Sequence, residues 1–256
     1  MVRSQDMAVR VRWVLVTPFV AAGLLMAGCG GSSSTSTTAT TSATSSTPTT
    51  SGGSANQLQN FGGTIKAAKN ATFKAVYTST SSSGGTETIT LEQAPPKQAF
   101  TTTDSSGTVS TLLNTGTATY ACTTDPGSTP NCTSMSSAGG AGALSSLVSV
   151  YNGSTALAAI EGWQTIVAAH VAGVSLKFTN TTIAGQAVRC ANWSYQGSSA
   201  TYCVTDKGVL AKVASTDSSG SSGSSGFELT SFTTSPPASD FELPANATVV
   251  TIPTGA

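Results

Sequence analysis

Strand-like segments separated by turn sequences dominate the chain between residues 71 and 234, and they constrain its fold more than any other feature. Segments such as ATFKAVYTST, GTETITLEQA and KQAFTTTD alternate apolar and polar residues, and SSSGG, APPK and DSSG separate or follow them. Period-two alternation places every second side chain on one face of a strand, whereas Gly, Pro and Asp favour turns. Because the turn signals recur about every 9 to 12 residues, the sequence predicts an antiparallel meander.

The predicted meander falls into two sets of strands. Six strand candidates lie between residues 71 and 135, and five more lie between residues 174 and 234. The segment SSGSSGSSG in the second set is predicted to be a long hairpin loop, because one further strand, FELTSFTT, follows it. The sequence therefore predicts about eleven strands, followed by the extended tail PPASDFELPANATVV.

Helical periodicity replaces strand periodicity between Ser136 and Gly173. Apolar residues there recur at intervals of three and four, first through AGALSSLVSVY and then through STALAAIEGWQTIVAAHVAG. Such a stripe is typical of a helix that packs one face on a sheet. A weaker helical signal covers residues 56 to 69. The sequence thus predicts an α+β fold in which a helical insertion divides two runs of antiparallel strands.

The N-terminus has the features of a secretory signal. Residues 1 to 12 contain three arginines and one acid, and the apolar run from Trp13 to Gly28 is shorter than the roughly 20 residues that cross a bilayer. The run ends with Met26-Ala27-Gly28-Cys29, where the chain resembles a bacterial lipoprotein signal with its lipobox. The resemblance implies cleavage before Cys29 and acylation of that cysteine, as with palmitate, which would hold the protein on the outer face of the cell membrane. A plain secretory signal with an incidental cysteine is the alternative.

A low-complexity segment follows the cysteine. From Gly30 to Ala55 every residue is Gly, Ser, Thr, Ala or Pro. Such a composition buries too little apolar area to offset the entropy of ordering, so we expect a flexible tether. The predicted organisation is a signal peptide over residues 1–28, a lipidated cysteine and tether over residues 29–55, and a folded domain over residues 56–256.

The five cysteines indicate one lipidated thiol and two disulfides. Lipidation of Cys29 leaves four others: Cys122, Cys132, Cys190 and Cys203. If Gln196-Gly197 is a two-residue turn, Cys190 lies opposite Cys203 at a non-hydrogen-bonded site, where Cα atoms are about 4.5 Å apart. The other two cysteines flank TTDPGSTPN, so the predicted pairs are 122 with 132 and 190 with 203. A metal site is the competing interpretation, but the chain has no C-x-x-C motif and one histidine.

Charge and motifs argue against nucleic-acid binding and catalysis. Without residues 1–28 the chain has a net charge of about −2, so counterion release would not attract nucleic acid. There is no G-x-S-x-G, H-E-x-x-H or glycine-rich phosphate-binding motif. His170, the sole histidine, is predicted to stabilise a helix end. Glu87 with Glu92, and Asp240 with Glu242, are predicted to be isolated surface charges. We expect no catalytic residue, metal or cofactor.

The order of these elements resembles that of the LolA/LppX-like half-barrel lipoproteins. The segments KAAKNATFKAVYT, AVRCANWSY with ATYCV, and SDFELPA carry the likeness, which spans residues 56 to 250. The resemblance implies a strongly curved antiparallel sheet of about eleven strands, whose concave face is covered by helices over an apolar cavity. It also implies a carrier or sensor of lipids or lipoproteins in the cell envelope. The Thr-rich tether is similar to those of actinobacterial lipoproteins.

Two hypotheses of function follow. In the first, a membrane-tethered, non-enzymatic protein binds a lipid or lipidated molecule in its cavity. The predicted apolar wall of that cavity consists of Leu112, Leu144, Leu147, Leu157, Ile160, Trp163 and Phe178. In the second, the same stripes are ordinary core, and the protein is a ligand-free scaffold or sensor that acts through protein contacts. A monomer is expected in both cases.

Overall fold

A computed structural model describes residues 51–80, 85–135, 137–151, 153–216 and 225–251 of the chain. The predicted signal peptide, Cys29 and most of the predicted tether lie outside these residues. The helices of the described part are α1 (Ser51–Ala67), α2 (Ser137–Tyr151) and α3 (Ser154–Ala168). Its strands are β1 (Phe73–Thr80), β2 (Thr86–Ala94), β3 (Lys97–Thr103), β4 (Val109–Asn114), β5 (Thr119–Thr124), β6 (Asn131–Met135), β7 (Ser175–Ile183), β8 (Gln186–Tyr195), β9 (Ser198–Thr205), β10 (Leu210–Thr216), β11 (Ser225–Thr233) and β12 (Thr248–Thr251).

All of these strands belong to one curved sheet, which confirms the α+β half-barrel arrangement with a helical insertion. The strand order is β12-β6-β5-β4-β3-β2-β1-β11-β10-β9-β8-β7. Two meanders, β1 to β6 and β7 to β11, meet where β1 pairs antiparallel with β11, from Lys74 opposite Thr233 to Thr80 opposite Gly226. The antiparallel pairing of β10 with β11 also agrees with the predicted hairpin around SSGSSGSSG.

The C-terminal tail departs from the prediction. Instead of remaining extended and unpaired, Thr248–Thr251 forms β12 and pairs in parallel with β6, with Val249 opposite Cys132. The sheet is therefore mixed, and its described part has one strand more than expected. Residues 234–247 lead from β11 at the centre of the sheet to β12 at its edge, and include a short 3₁₀ helix at Ala238–Phe241 that contacts β3. Four residues are too short a segment for period-two alternation to be recognised in the sequence.

The helices cover one face of the sheet in two groups. Helix α2 contacts β3, β4 and β5, whereas α1 packs on α3 and contacts β7. Each group has its own hydrophobic cluster. The α2 core joins Leu144 and Val148 to Phe73, Tyr77 and Leu91 of β1 and β2, and it extends to Val188, Cys190 and Cys203 of β8 and β9. The α1–α3 core contains Leu58, Phe61, Ile65, Ala156, Ile160, Trp163, Ala191, Val204 and Leu210. The helical insertion thus covers only part of the concave face, and α1 completes the cover.

Helix α1 begins at Ser51, inside the segment predicted to be tether. The sequence did not indicate this start, because the first residues of the helix are small and carry no apolar periodicity. Its far end is fixed by Gln93, whose buried Nε2 lies 3.0 Å from the carbonyl oxygen of Ala68 and 2.8 Å from that of Ala71. Gly208, in the turn after β9, has φ +80°, and any Cβ there would collide with the carbonyl of Thr64. The sheet therefore holds α1 by direct contact with its backbone.

Candidate functional site

The structure contains both predicted disulfides, Cys122–Cys132 and Cys190–Cys203, with Cα atoms 4.0 and 3.9 Å apart. Gln196 and Gly197 form the predicted turn with φ of 49° and 81°, and Cys190 lies opposite Cys203. Each disulfide links the two strands of one hairpin. The first lies in the β1–β6 half of the sheet and the second in the β7–β11 half. All four cysteines are buried.

The seven predicted cavity residues do not form one wall. Leu144 is buried in the α2 core, with Leu112 and Leu147 packed against it. Ile160 and Trp163 are buried in the α1–α3 core, with Leu157 and Phe178 packed against it. Aromatic contacts fill the space between helices and sheet: ring centroids are 5.7 Å apart for Trp163–Trp193, 5.9 Å for Phe61–Phe178 and 5.6 Å for Phe100–Tyr151. These seven side chains act in the structure as core residues.

A groove of about 340 Å³ lies at the end of the α1–α3 half, and we call it the Arg189 groove. None of the seven predicted residues lines it. Its walls come from α1, β7, β8, β9 and the turn after β9, and are formed by Phe61, Thr64, Asn180, Thr181, Ala187, Val188, Arg189, Val204, Thr205 and Asp206. The guanidinium carbon of Arg189 lies 4.9 Å from the ring centroid of Phe178, and one of its nitrogens donates to Gln57 Oε1 at 3.3 Å. Sequence reasoning did not identify this site. The available signal was that Arg189 is the only arginine after residue 12.

A second, smaller cavity of about 200 Å³ lies along β1, β11 and β10. Its lining includes Thr78, Phe227 and the ion pair of Lys212 Nζ with Glu228 Oε2, which are 2.7 Å apart. These two charged side chains are 38% and 52% exposed. Because solvent screens such a pair, it contributes little to stability.

An ion cluster lies under the C-terminal tail, on the face of β1 and β2 opposite the helices. Lys74 Nζ donates to Asp240 Oδ2 at 2.8 Å and is in direct contact with Glu92 Oε1. Burial raises the pKa of Glu92 to about 7, against the opposing effect of Lys74. Burial also disfavours the charged form of Lys74, but its hydrogen bonds to Asp240 and Glu92 outweigh that effect and raise its pKa.

The ion cluster corrects the prediction that Glu92 and Asp240 are isolated surface charges. Glu92 is only 5% exposed and lies directly opposite Lys74 in the sheet register. Asp240 reaches Lys74 from the 3₁₀ helix of the tail. Sequence proximity suggested the pairs Glu87 with Glu92 and Asp240 with Glu242, whereas the contact depends on strand pairing and on the path of the tail.

Two aromatic side chains have a buried polar atom without a hydrogen-bond partner among the described residues: the hydroxyl of Tyr77 and Nε1 of Trp193. Tyr77 is fully buried between Tyr151 and Phe227, with ring centroids 5.4 and 5.1 Å away. Burial raises the pKa of the Tyr77 hydroxyl, so it remains protonated. An unpartnered buried hydroxyl costs about 1–3 kcal/mol.

His170 lines neither the Arg189 groove nor the smaller cavity. His170 is exposed in the turn after α3, with φ 49°, and its N–H donates to the carbonyl of Val167 at 3.2 Å. Among the described residues there is no group of three His, Cys, Asp or Glu that could hold a metal. No single helix of the described part is long and apolar enough to span a membrane. Residues 142–151 and 156–168 reach that length and composition only together, with a 52° bend between them.

The chain matches no protein-family model and no curated protein. Among solved structures it is similar to MucB in complex with MucA(peri), with 16% identity and a TM-score of 0.36 over 77% of this chain and 62% of that chain. It is also similar to PNGF-II in two crystal forms, with 13% identity and TM-scores of 0.29 and 0.30. Those likenesses cover 71% and 72% of this chain but 32% and 31% of PNGF-II. The chain thus spans less than two thirds of MucB and about a third of PNGF-II. At this level of similarity the likenesses carry no information on function.

Proposed function

We propose that this protein is a non-enzymatic lipoprotein of the cell envelope, anchored to the outer face of the membrane through Cys29, and that its domain acts as a scaffold or sensor through protein contacts. The lipobox and the tether support the anchor. The two disulfides support an extracytoplasmic location, because such bonds persist in oxidising compartments.

We favour a protein-contact role because side chains fill the space between the helices and the sheet. Leu144 and Ile160 are 1% and 0% exposed, and the stacked rings of Trp163 and Trp193 occupy the α1–α3 half. A carrier of acyl chains needs a contiguous apolar cavity, typically of several hundred Å³. In this structure, the side chains predicted to line one are in contact with each other and with the sheet.

Lipid carriage is the second candidate, and the unpartnered hydroxyl of Tyr77 favours it. Helices α2 and α3 carry a single charged residue, Glu161, so moving them off the sheet would expose an apolar wall with the Tyr77 hydroxyl within it. The polar end of a bound lipid would then supply the missing hydrogen bond. In the closed arrangement described here that hydroxyl remains unpartnered.

Native and denaturing mass spectrometry of the full chain carrying Cys29→Ala separates the two candidates, because this variant has no covalent lipid. A scaffold or sensor gives identical masses under both conditions. A reproducible lipid-sized difference would instead establish the carrier and identify its ligand class after extraction.

Labelling with radioactive palmitate tests the anchor separately. The wild-type chain should incorporate label and sediment with membranes, and Cys29→Ala should lose both properties. The double variant Cys122→Ser/Cys132→Ser is the matched control, since it removes cysteines but keeps Cys29. Equal labelling of wild type and Cys29→Ala would contradict the proposed anchor.

A further inference from the structure

The Arg189 groove combines an incompletely paired cation with an apolar floor. Within the described residues, no carboxylate lies within 4.0 Å of the Arg189 guanidinium, and its one hydrogen bond is to the neutral Gln57. A guanidinium presents five N–H donors in a planar fork that fits a carboxylate. The guanidinium lies over the Phe178 ring, and this cation–π contact helps to hold it in place. Arg189 is therefore oriented to receive an anion.

The other residues of the groove indicate which kind of chemical group carries the anion. Phe61 and Val204 form the apolar base of the groove, where they are 1% and 2% exposed. The groove volume of about 340 Å³ is near the lower end of the 300–1,000 Å³ typical of small-molecule sites. This volume is sufficient for a small ligand with a short apolar segment.

The rim of the groove adds no net positive charge that could pair with a second negative charge on the ligand. Asp206 lies there, 72% exposed, and its carboxylate is 3.6 Å from the ammonium of Lys207. An exposed pair of this kind is nearly neutral as seen from the groove. Arg189 thus supplies about one net positive charge, which matches a monoanion better than a phosphate dianion.

We propose that the Arg189 groove binds a small monocarboxylate with a short apolar segment, whose carboxylate pairs with Arg189 and whose carbon chain lies on Phe61 and Val204. The proposal concerns a different part of the domain from the α2 core. It does not depend on the lipid anchor or on the choice between scaffold and carrier.

Nuclear magnetic resonance titration of the full chain carrying Cys29→Ala tests this site. The probes are hexanoate, its neutral counterpart hexanamide, acetate and inorganic phosphate. The Nε–Hε cross-peak of Arg189, identified by its loss in Arg189→Gln, reports on the carboxylate, and the amides of Thr64 and Thr205 report on the walls. Lys177→Gln, which removes an exposed cation of β7 outside the groove, is the matched control.

Hexanoate should shift these cross-peaks with a Kd on the order of 1 mM. Acetate should bind about tenfold or more weakly, since each buried methylene contributes about fourfold. Hexanamide and phosphate should cause no saturable shift. Arg189→Gln should weaken hexanoate binding about tenfold or more, as followed on the wall amides, while Lys177→Gln should leave it unchanged.

Four results would overturn the assignment: no shift with hexanoate at about tenfold the expected Kd, equal binding of hexanamide, equal binding of phosphate, or unchanged binding to a folded Arg189→Gln variant. Hexanoate shifts centred on Tyr77 and Leu144 would also overturn it, and would point instead to the lipid-carrier candidate. A negative result for the groove would therefore not affect the interpretation of the mass-spectrometric and palmitate experiments. Negative results in those experiments would likewise not affect the proposed carboxylate site.

Discussion

The two halves of the sheet are both antiparallel meanders but are covered differently. In the β1–β6 half, α2 covers the concave face and the C-terminal tail covers the opposite face. There Ala99 and Leu113 lie opposite each other on the tail side, in register with Lys74 and Glu92, and each is 1% exposed. In the β7–β11 half, α1 and α3 cover the concave face, and the Arg189 groove opens at one end.

The difference in cover changes how much similar Lys–Glu pairs contribute to stability. Lys74 with Glu92 and Lys212 with Glu228 are both register-opposed Lys–Glu pairs between neighbouring strands. In the first pair the side chain of Glu92 is 7% and that of Lys74 31% exposed, whereas in the second pair Lys212 and Glu228 are 38% and 52% exposed. Burial makes the charge of Glu92 dependent on Lys74, whereas water screens both members of the exposed pair. The tail-covered half thus contains the ion cluster, whereas the other half contains the groove for which we propose binding.

The largest effects should come from the two cores. Trp163→Ala should reduce the free energy of unfolding by about 3–5 kcal/mol, since it removes the stacking on Trp193 and leaves a cavity. Leu144→Ala in the α2 core should cost about 2–5 kcal/mol. Because β1 and β11 join the halves at the centre of the sheet, both variants should still unfold in one transition, measured by urea titration with circular dichroism. Two transitions in either variant would show that the halves are separate cooperative units.

Removing one cation from each half tests the role of the tail. Lys74→Met should destabilise the protein by about 3 kcal/mol at pH 8, because the buried Glu92 and the partly buried Asp240 lose their common partner. The matched change Lys212→Met should cost about 1 kcal/mol or less. Both values come from urea unfolding under the same conditions. Similar losses in the two variants would contradict the distinction between the halves.

The disulfides should contribute almost equally. Their sequence separations are 10 and 13 residues, so loop-closure entropy predicts about 3 kcal/mol for each. The double variants Cys122→Ser/Cys132→Ser and Cys190→Ser/Cys203→Ser should therefore show similar reductions in the free energy of unfolding. A much larger loss in one half would mean that residual structure in its unfolded state, and not loop length, sets the contribution.

The features that the sequence predicts correctly are local. The first eleven strands and the register of Cys190 with Cys203 depend on period-two alternation and on short turns, which neighbouring residues specify. Non-local features were missed: the parallel pairing of β12, the burial of Glu92 beneath the tail, and the Arg189 groove. Each of these brings together segments that are distant in sequence.

The candidate site illustrates the same limit. A helical stripe shows which face of α2 or α3 is apolar, but not whether side chains or a ligand fill the space beneath it. Leu112, Leu144 and Leu147 gather in one core, and Leu157, Ile160, Trp163 and Phe178 gather in the other. The division arises because α1 joins α3 over the second half of the sheet, and the sequence did not indicate that contact.

A smaller effect should appear as pH dependence of the tail-covered half. Because the pKa of Glu92 is raised to about 7 from an ordinary 4.5, the folded state holds its proton more tightly than the unfolded state does. This group therefore favours folding below about pH 4.5, and that contribution is lost as pH rises to about 7, with a slope of up to about 1.4 kcal/mol per pH unit. Lys74, whose pKa is raised above 10.5, stays charged throughout this range and adds no slope.

Glu92→Gln should abolish this pH dependence, because the amide does not titrate in this range. Urea unfolding at pH 5, 6, 7 and 8 (roughly the window between the two pKa values) should show a smaller decline in stability for Glu92→Gln than for wild type. Glu228→Gln, in the exposed pair of the other half, should keep the wild-type slope. If Glu92→Gln and Glu228→Gln change the slope alike, the tail does not desolvate Glu92, and the contrast between a covered and an open outer face has no energetic consequence.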